Sequence, residues 1–219
     1  MYEDLKKIQN ELSRKVVLSK LKSEIKVVAG IDISVDRYTN IGYCAIILLD
    51  RDLKTLEEAS FVDEIKIPYV PGFLSFRELP IIEKCFSTLK SKPDLVFIDG
   101  QGIAHPRGFG IASHFGITYN IPTIGCAKSL LVGIYEDPDN LKGSFSPIIY
   151  KAKIVGSALR TKPNTKPIFV SPGHMVTVEQ SIMLTLSFTD KYRVPEPTRR
   201  ADILSKRLRR LNDPKLKKQ

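Results

Sequence analysis

KVVAGIDISVDRYTNIGYCAIILLD, residues 26–50, decides the fold. The run starts apolar at Val27 and Val28 and passes into alternation through Ile31, Asp32, Ile33 and Ser34. Residues 37–40 supply a turn, and IGYCAIILLD returns as a second apolar run. Runs of this kind bounded by turn residues read as strands. FVDEIKI, residues 61–67, alternates cleanly and gives a third strand. Three successive strands with short connections predict an antiparallel meander.

Upstream, Leu5, Ile8, Leu12 and Val16 recur at three- and four-residue steps and predict a helix over residues 2–22. Downstream the pattern changes. Residues 78–89 read as a helix closed by Lys92-Pro93, and DLVFID, residues 94–99, is a continuous apolar strand of the kind buried on both faces. A short helix over 108–119 and a strand in IPTIGCA, residues 121–127, follow. Residues 153–161 and 167–172 read as late strands, and 178–188 and 198–211 as late helices. The expected architecture is α/β: a ribonuclease-H-like mixed sheet, antiparallel meander followed by parallel strands, flanked by helices. With no internal repeat or low-complexity linker, residues 1–219 are expected to form a single domain.

Composition narrows the function classes. A hydrophobic share of 42% over 219 residues supplies a full core. No apolar run approaches the ~20 residues of a membrane span, and the charged N-terminus does not read as a signal peptide, so a cytoplasmic protein without membrane contact is expected. Cys44, Cys85 and Cys126 are odd in number and widely spaced, which argues against a disulfide framework or a zinc ribbon. The net charge of +10 points to a polyanionic partner. Nine Lys/Arg against two Asp lie between Pro197 and Gln219, so a basic C-terminal helix and tail over 197–219 carry +7 of that total.

Two carboxylates stand out. Asp32 interrupts an otherwise apolar or small run, and Asp99 ends another. A buried charge is expensive to desolvate unless it is paired or bound to a cation. On neighbouring strands, ~4.8 Å apart, the two would repel, and a hard cation such as Mg²⁺ would remove the conflict. Glu78, in SFRELP, reads by itself as an acid at a helix N-terminus. In IPYVPGFLSF, Pro68 and Pro71 stiffen a turn around Tyr69 and Val70. Such a turn suits a packed surface tyrosine or a wedge that enters a base stack. The glycine-rich stretch DGQGIAHPRGFGIASH, residues 99–114, lets backbone approach a ligand closely. It lacks the GK[ST] of a phosphate-binding loop and the full GxGxxG fingerprint, which excludes a nucleotide-cofactor enzyme.

The ordered set AGIDIS (29–34), IPYVPGFLSFRELP (67–80), PDLVFIDGQGIAHPRGFGIASH (93–114), IPTIGCAKSLLVG (121–133), RTK (160–162), PIFVSPGH (167–174) and VPEPTRRAD (194–202) resembles the endonuclease V family, deoxyinosine-directed repair nucleases. The resemblance implies a monomeric Mg²⁺- or Mn²⁺-dependent enzyme acting on DNA with deaminated bases. It would cut the second phosphodiester bond 3′ of the lesion and leave 3′-hydroxyl and 5′-phosphate ends. It places metal-binding carboxylates at Asp32, Glu78 and Asp99, a phosphate-contacting lysine at Lys128, and a strand-separating wedge at Pro68, Tyr69, Val70 and Pro71. The base pocket maps to Gly72, Leu74, Gly100, Ile111, Ala127 and Leu131. Asp202 stands where some relatives have histidine, so its metal role stays open. His105 and His174 fall in family motifs without an assigned chemistry. Inosine-containing RNA is the alternative substrate, and a non-catalytic lesion-binding protein is a further alternative.

Overall fold

The structure, a computed structural model, describes residues 2–212. Residues 213–219, the end of the basic tail, lie outside it. The described chain runs α1 (Tyr2–Ser13), β1 (Val28–Val35), β2 (Ile41–Leu49), β3 (Thr55–Glu64), α2 (Leu74–Phe86), β4 (Leu95–Ile98), α3 (Ile111–Tyr119), β5 (Thr123–Ala127), β6 (Phe145–Tyr150), β7 (Lys153–Leu159), β8 (Ile168–His174), α4 (Val178–Ser187) and α5 (Glu196–Asn212). No helix among the described residues is long and apolar enough to cross a membrane.

The eight strands form one sheet in the order β3-β2-β1-β4-β5-β8-β7-β6. β1 to β3 make the expected antiparallel meander. β4 and β5 then join parallel to β1, as crossovers through α2 and α3 require. Beyond β5 the sheet turns antiparallel again through β8, β7 and β6. This mixed α/β arrangement is the expected ribonuclease-H-like one.

Alternation along the central strands sorts side chains to two cores. Val28, Leu95, Phe97 and Ile124 face Ile182, Phe188 and Ala201 on the α4/α5 side. Ala29, Ile31, Val96 and Ile98 face Leu79, Ile82, Ile111 and Phe115 on the α2/α3 side. The parallel register pairs Ile31 with Ile98. Asp32 and Asp99 are the next residue on each strand, with Asp99 N–H donating to Ile31 O at 3.3 Å. The two aspartates therefore lie side by side on the α5 face, Asp32 within β1 and Asp99 just beyond the end of β4.

Several boundaries differ from the sequence expectation. The N-terminal helix stops at Ser13, not near residue 22. Beyond it, Val17 N–H donates to His174 Nδ1 at 3.2 Å, Met175 N–H to Val17 O at 2.7 Å and Leu21 N–H to Gln180 Oε1 at 2.9 Å. These contacts with β8 and α4 take the chain out of helix. The third strand occupies Thr55–Glu64 rather than 61–67. α2 starts four residues earlier than expected and carries Pro80 inside it. α3 starts at Ile111 rather than 108, because Gly108 (φ 64°) is left-handed and Gly110 forms the N-cap. β6 has no counterpart in the sequence reading. Its Pro147 speaks against a strand, yet β6 is a sheet edge, where proline's missing N–H does no harm. All three cysteines are free and buried.

Candidate active site

Asp32, Asp99 and Asp202 each offer one carboxylate oxygen within 4.8 Å of the others. Asp32 comes from β1, Asp99 from the end of β4, and Asp202 from α5, which crosses the sheet face. The close crossing depends on Gly30: a Cβ there would lie 2.0 Å from the carbonyl carbon and oxygen of Pro197 and 2.6 Å from Thr198 N. α5 thus sits backbone against backbone on β1, a distance only glycine permits.

Asp32 is 9% exposed. Burial pushes its carboxyl up to about 6, against the Ser205 hydrogen bond, and the charges of Asp99 and Asp202 push the same way. Ser205, fully buried on α5, donates from Oγ to Asp32 Oδ2 at 2.6 Å. Lys128, just beyond β5, reaches between two acids. Its Nζ pairs with Asp99 Oδ2 and lies 3.4 Å from Asp202 Oδ1. Burial alone would lower the Lys128 ammonium, but Asp99, Asp202 and Asp32 together hold it above its ordinary value. Lys206 Nζ adds a pair to Asp202 Oδ2 at 2.7 Å.

Glu78 stands at the edge of this group rather than inside it. It arrives from α2, on the opposite face of the sheet. Its surroundings push its carboxyl up to about 8, first by desolvation and then by the charge of Asp32. Glu78 is half-buried. The expected trio of Asp32, Glu78 and Asp99 is thus rearranged in space: Asp202 joins the tight cluster and Glu78 faces it.

Hard oxygen donors at this spacing suit a small divalent cation such as Mg²⁺ or Mn²⁺. The raised carboxyls of Asp32 and Glu78 carry the same message, since like charges crowded in a half-buried site are relieved by a cation. Lys128 supplies part of that positive charge.

Beside the acids opens a cavity of about 240 Å³. All six expected pocket residues, Gly72, Leu74, Gly100, Ile111, Ala127 and Leu131, line it, together with Tyr69, Asp99 and Lys128. At Gly100 (φ 153°) a Cβ would lie 2.6 Å from Ile111 Cγ2, so the bare backbone keeps this wall open. Two residues that the sequence reading did not single out also line it. Ser75 Oγ and Gln101 Oε1 are buried and have no hydrogen-bond partner among the described residues. A buried polar atom left unmatched is a candidate contact for a polar ligand. No sequence signal marks Ser75; Gln101 lies inside the glycine stretch.

Tyr69 is 63% exposed at the rim of this cavity. Pro68 and Pro71 are exposed beside it, and Val70 is half-buried. The turn is held at both ends: Phe73 N–H donates to Val70 O at 3.0 Å and Arg77 Nη1 to Ile67 O at 2.8 Å. His105 is buried in the same wall. Its Nδ1 accepts from Arg107 N–H at 3.2 Å, which leaves Nε2 to donate to Gly72 O at 3.1 Å. Burial, with the Arg107 charge beside it, lowers the imidazole to about 4. His174 is not brought here. It pairs with Thr123, at the opposite end of β5 from Lys128, and there it accepts from Val17 N–H.

The basic α5 is less free than its composition suggests. Arg199 and Arg200 are tied to the buried Glu196, and Lys206 to Asp202. Arg209 donates to Val35 O at 3.3 Å. Among the described residues, Arg207, Arg209 and Arg210 form no close ion pair, although the Arg209 charge helps hold the Asp36 carboxyl below its ordinary value.

Comparison with known proteins identifies the family of the chain. A family model described as Endonuclease V matches residues 10–203. Endonuclease V of Kosmotoga olearia is 49% identical over 209 residues, 95% of this chain and 92% of the relative. The crystal structure of the Endonuclease V from Streptomyces avermitilis superposes with a TM-score of 0.91 at 41% identity, covering 96% of this chain and 94% of that one. That of Ciona intestinalis Endonuclease V in complex with a 24mer DNA containing an inosine followed by a ribo-adenosine gives 0.84 at 26% identity, covering 96% and 99%.

Proposed function

This chain belongs to the endonuclease V family, and on that premise we propose that it is a DNA repair endonuclease that recognises deaminated bases, chiefly deoxyinosine. It hydrolyses the second phosphodiester bond 3′ of the lesion and leaves 3′-hydroxyl and 5′-phosphate ends. One observation carries the reading. Asp99 belongs both to the acidic cluster and to the cavity lining, and Lys128, paired with it, lines the cavity too, so a base held in the cavity places its neighbouring phosphates at the acids. The complex of the Ciona relative with inosine-containing DNA supports the same substrate class.

In this reading Tyr69, on its proline-stiffened turn, fills the gap that an extruded nucleotide leaves in the stack. Extrusion is cheaper for a mispaired inosine than for a paired normal base. Gly72, Leu74, Gly100, Ile111, Ala127 and Leu131 then enclose the base with small side chains and exposed backbone. A wall this close discriminates against guanine by its extra amino group.

Asp32, Asp99 and Asp202 would hold a Mg²⁺ or Mn²⁺ ion, with Glu78 completing the ligand set from α2. Held there, the ion would supply the Lewis acidity that activates water and offsets charge on the phosphate. Ser205 fixes the rotation of the Asp32 carboxylate. Lys128 offers its ammonium to the phosphate oxygens. Arg207, Arg209 and Arg210 hold the duplex backbone without reading sequence. The whole chain, residues 1–219, acts as one monomeric domain.

The test is strand scission on a duplex with a single deoxyinosine, with product mapping and a metal series. The expected product is a nick one nucleotide beyond inosine, present with Mg²⁺ or Mn²⁺, absent under chelator, and lost in Asp99→Ala. Normal nicking by Asp99→Ala would overturn the carboxylate assignment. Release of free hypoxanthine without a nick would overturn the endonuclease reading. Faster cleavage of a matched RNA strand carrying one inosine would replace DNA by RNA as the substrate.

A further inference from the structure

We propose that Gln9 is a positioning residue for lesion recognition: from α1 it holds the carbonyl of Gly72 and so sets the turn that carries Tyr69. The inference rests on reading that turn as the recognition element.

The residue α1 buries fully is not one of its leucines or isoleucines but Gln9. Ile8, in the apolar series, is 40% exposed, and Leu5 and Leu12 are half-buried. Burying an amide is unfavourable unless its polar atoms are matched, and here both are. Gln9 Nε2 donates to Gly72 O at 3.0 Å and to Phe109 O at 3.4 Å. Gln9 Oε1 accepts from Arg107 Nε.

Arg107 closes the arrangement. Its Nη2 donates to the same Gly72 carbonyl at 2.6 Å, and its guanidinium lies 4.6 Å over the Phe73 ring. Tyr2, also from α1, packs on that ring at 5.5 Å. His105 Nε2 is a third donor to Gly72 O. Three donors, one of them cationic, converge on one carbonyl at a residue in the left-handed region (φ 82°). That residue lines the cavity immediately after the proline turn.

If α1 merely covered the core, an apolar side chain of equal length would serve better at position 9. The matched amide instead fixes one backbone oxygen next to Tyr69. A wedge that must enter a base stack gains from a turn ordered beforehand, because less freedom is lost on binding.

The experiment compares full-length parent, Gln9→Met, Gln9→Glu and Tyr69→Ala. The readouts are affinity for a duplex with one deoxyinosine, affinity for the undamaged duplex, and nicking rate at saturating enzyme. Gln9→Met keeps length and removes all three hydrogen bonds. Gln9→Glu keeps the contact to Arg107, and hence the packing of α1, but sets a carboxylate against the Gly72 carbonyl. Both are expected to lose about tenfold in lesion discrimination, the scale of one buried hydrogen bond to a charged or fixed partner. Affinity for undamaged duplex and the saturating nicking rate should stay within a few-fold of the parent. Unchanged discrimination in both Gln9 variants, with discrimination lost in Tyr69→Ala, would overturn the role of Gln9 alone. Unchanged discrimination in Tyr69→Ala would overturn the recognition reading itself. An equal fall in affinity for both duplexes would show a structural role only.

Discussion

Gly30→Ala tests the closest approach in the site. The added methyl would meet Pro197 C and O at 2.0 Å. Ordinary contact begins near 3.4 Å, so the first turn of α5 must retreat from β1 by about 1.4 Å. The obstacle is backbone, which has no rotamer to yield. Overpacking of this kind costs about 3 kcal/mol, the upper part of the usual range. In a chain of this size that lowers Tm by roughly 6–12 °C. The same retreat carries Asp202 and Ser205 away from Asp32, and a misplacement of ~1 Å lowers a reaction rate by about a hundredfold. The assay pairs a thermal melt with single-turnover nicking of an inosine duplex, at a temperature where the variant is fully folded. A Tm within 1–2 °C of the parent together with an unchanged nicking rate would refute the claim that this contact sets the site. A lowered Tm with full activity would show that α5 holds stability but not geometry.

Two further outcomes concern the metal site and a buried histidine. Ser205→Ala removes the donor to Asp32 Oδ2 and should weaken Mn²⁺ binding 10- to 100-fold, as lost partners of metal ligands do. Calorimetric titration of the protein without DNA measures this, and an unchanged Kd would sink the orienting role. His114 sits between Phe76 and Phe109 with Nδ1 unmatched among the described residues, and burial lowers its imidazole from 6.5 to about 4. Its unfolded form binds the proton first, so its contribution is complete above pH 6.5 and is lost as pH falls toward 4, by roughly 3 kcal/mol. Urea melts of His114→Phe should therefore show a flatter acid limb than the parent, and parallel limbs would refute the assignment.

The sequence by itself determined the strands around Asp32 and Asp99, because alternation and the cost of burying a charge are properties of a short stretch of chain. It also carried the ordered motifs that mark the family, and through them the six residues that do line one cavity. What it left undetermined depends on segments meeting in space. Asp202 and Ser205 reach Asp32 only because Gly30 lets α5 lie against β1, a contact between positions about 170 apart. Glu78 falls outside the tightest cluster because α2 packs on the other face of the sheet. His174, inside a matching motif, pairs with Thr123 at the end of β5 away from Lys128. The helix at the N-terminus ends at Ser13 because β8 and α4 compete for the backbone beyond it. Gln9 reads as one polar residue among the apolar positions of a helix until the fold places the Gly72 carbonyl in front of it. Local pattern fixes what a segment is, whereas sheet order and close approach decide which side chains share a site.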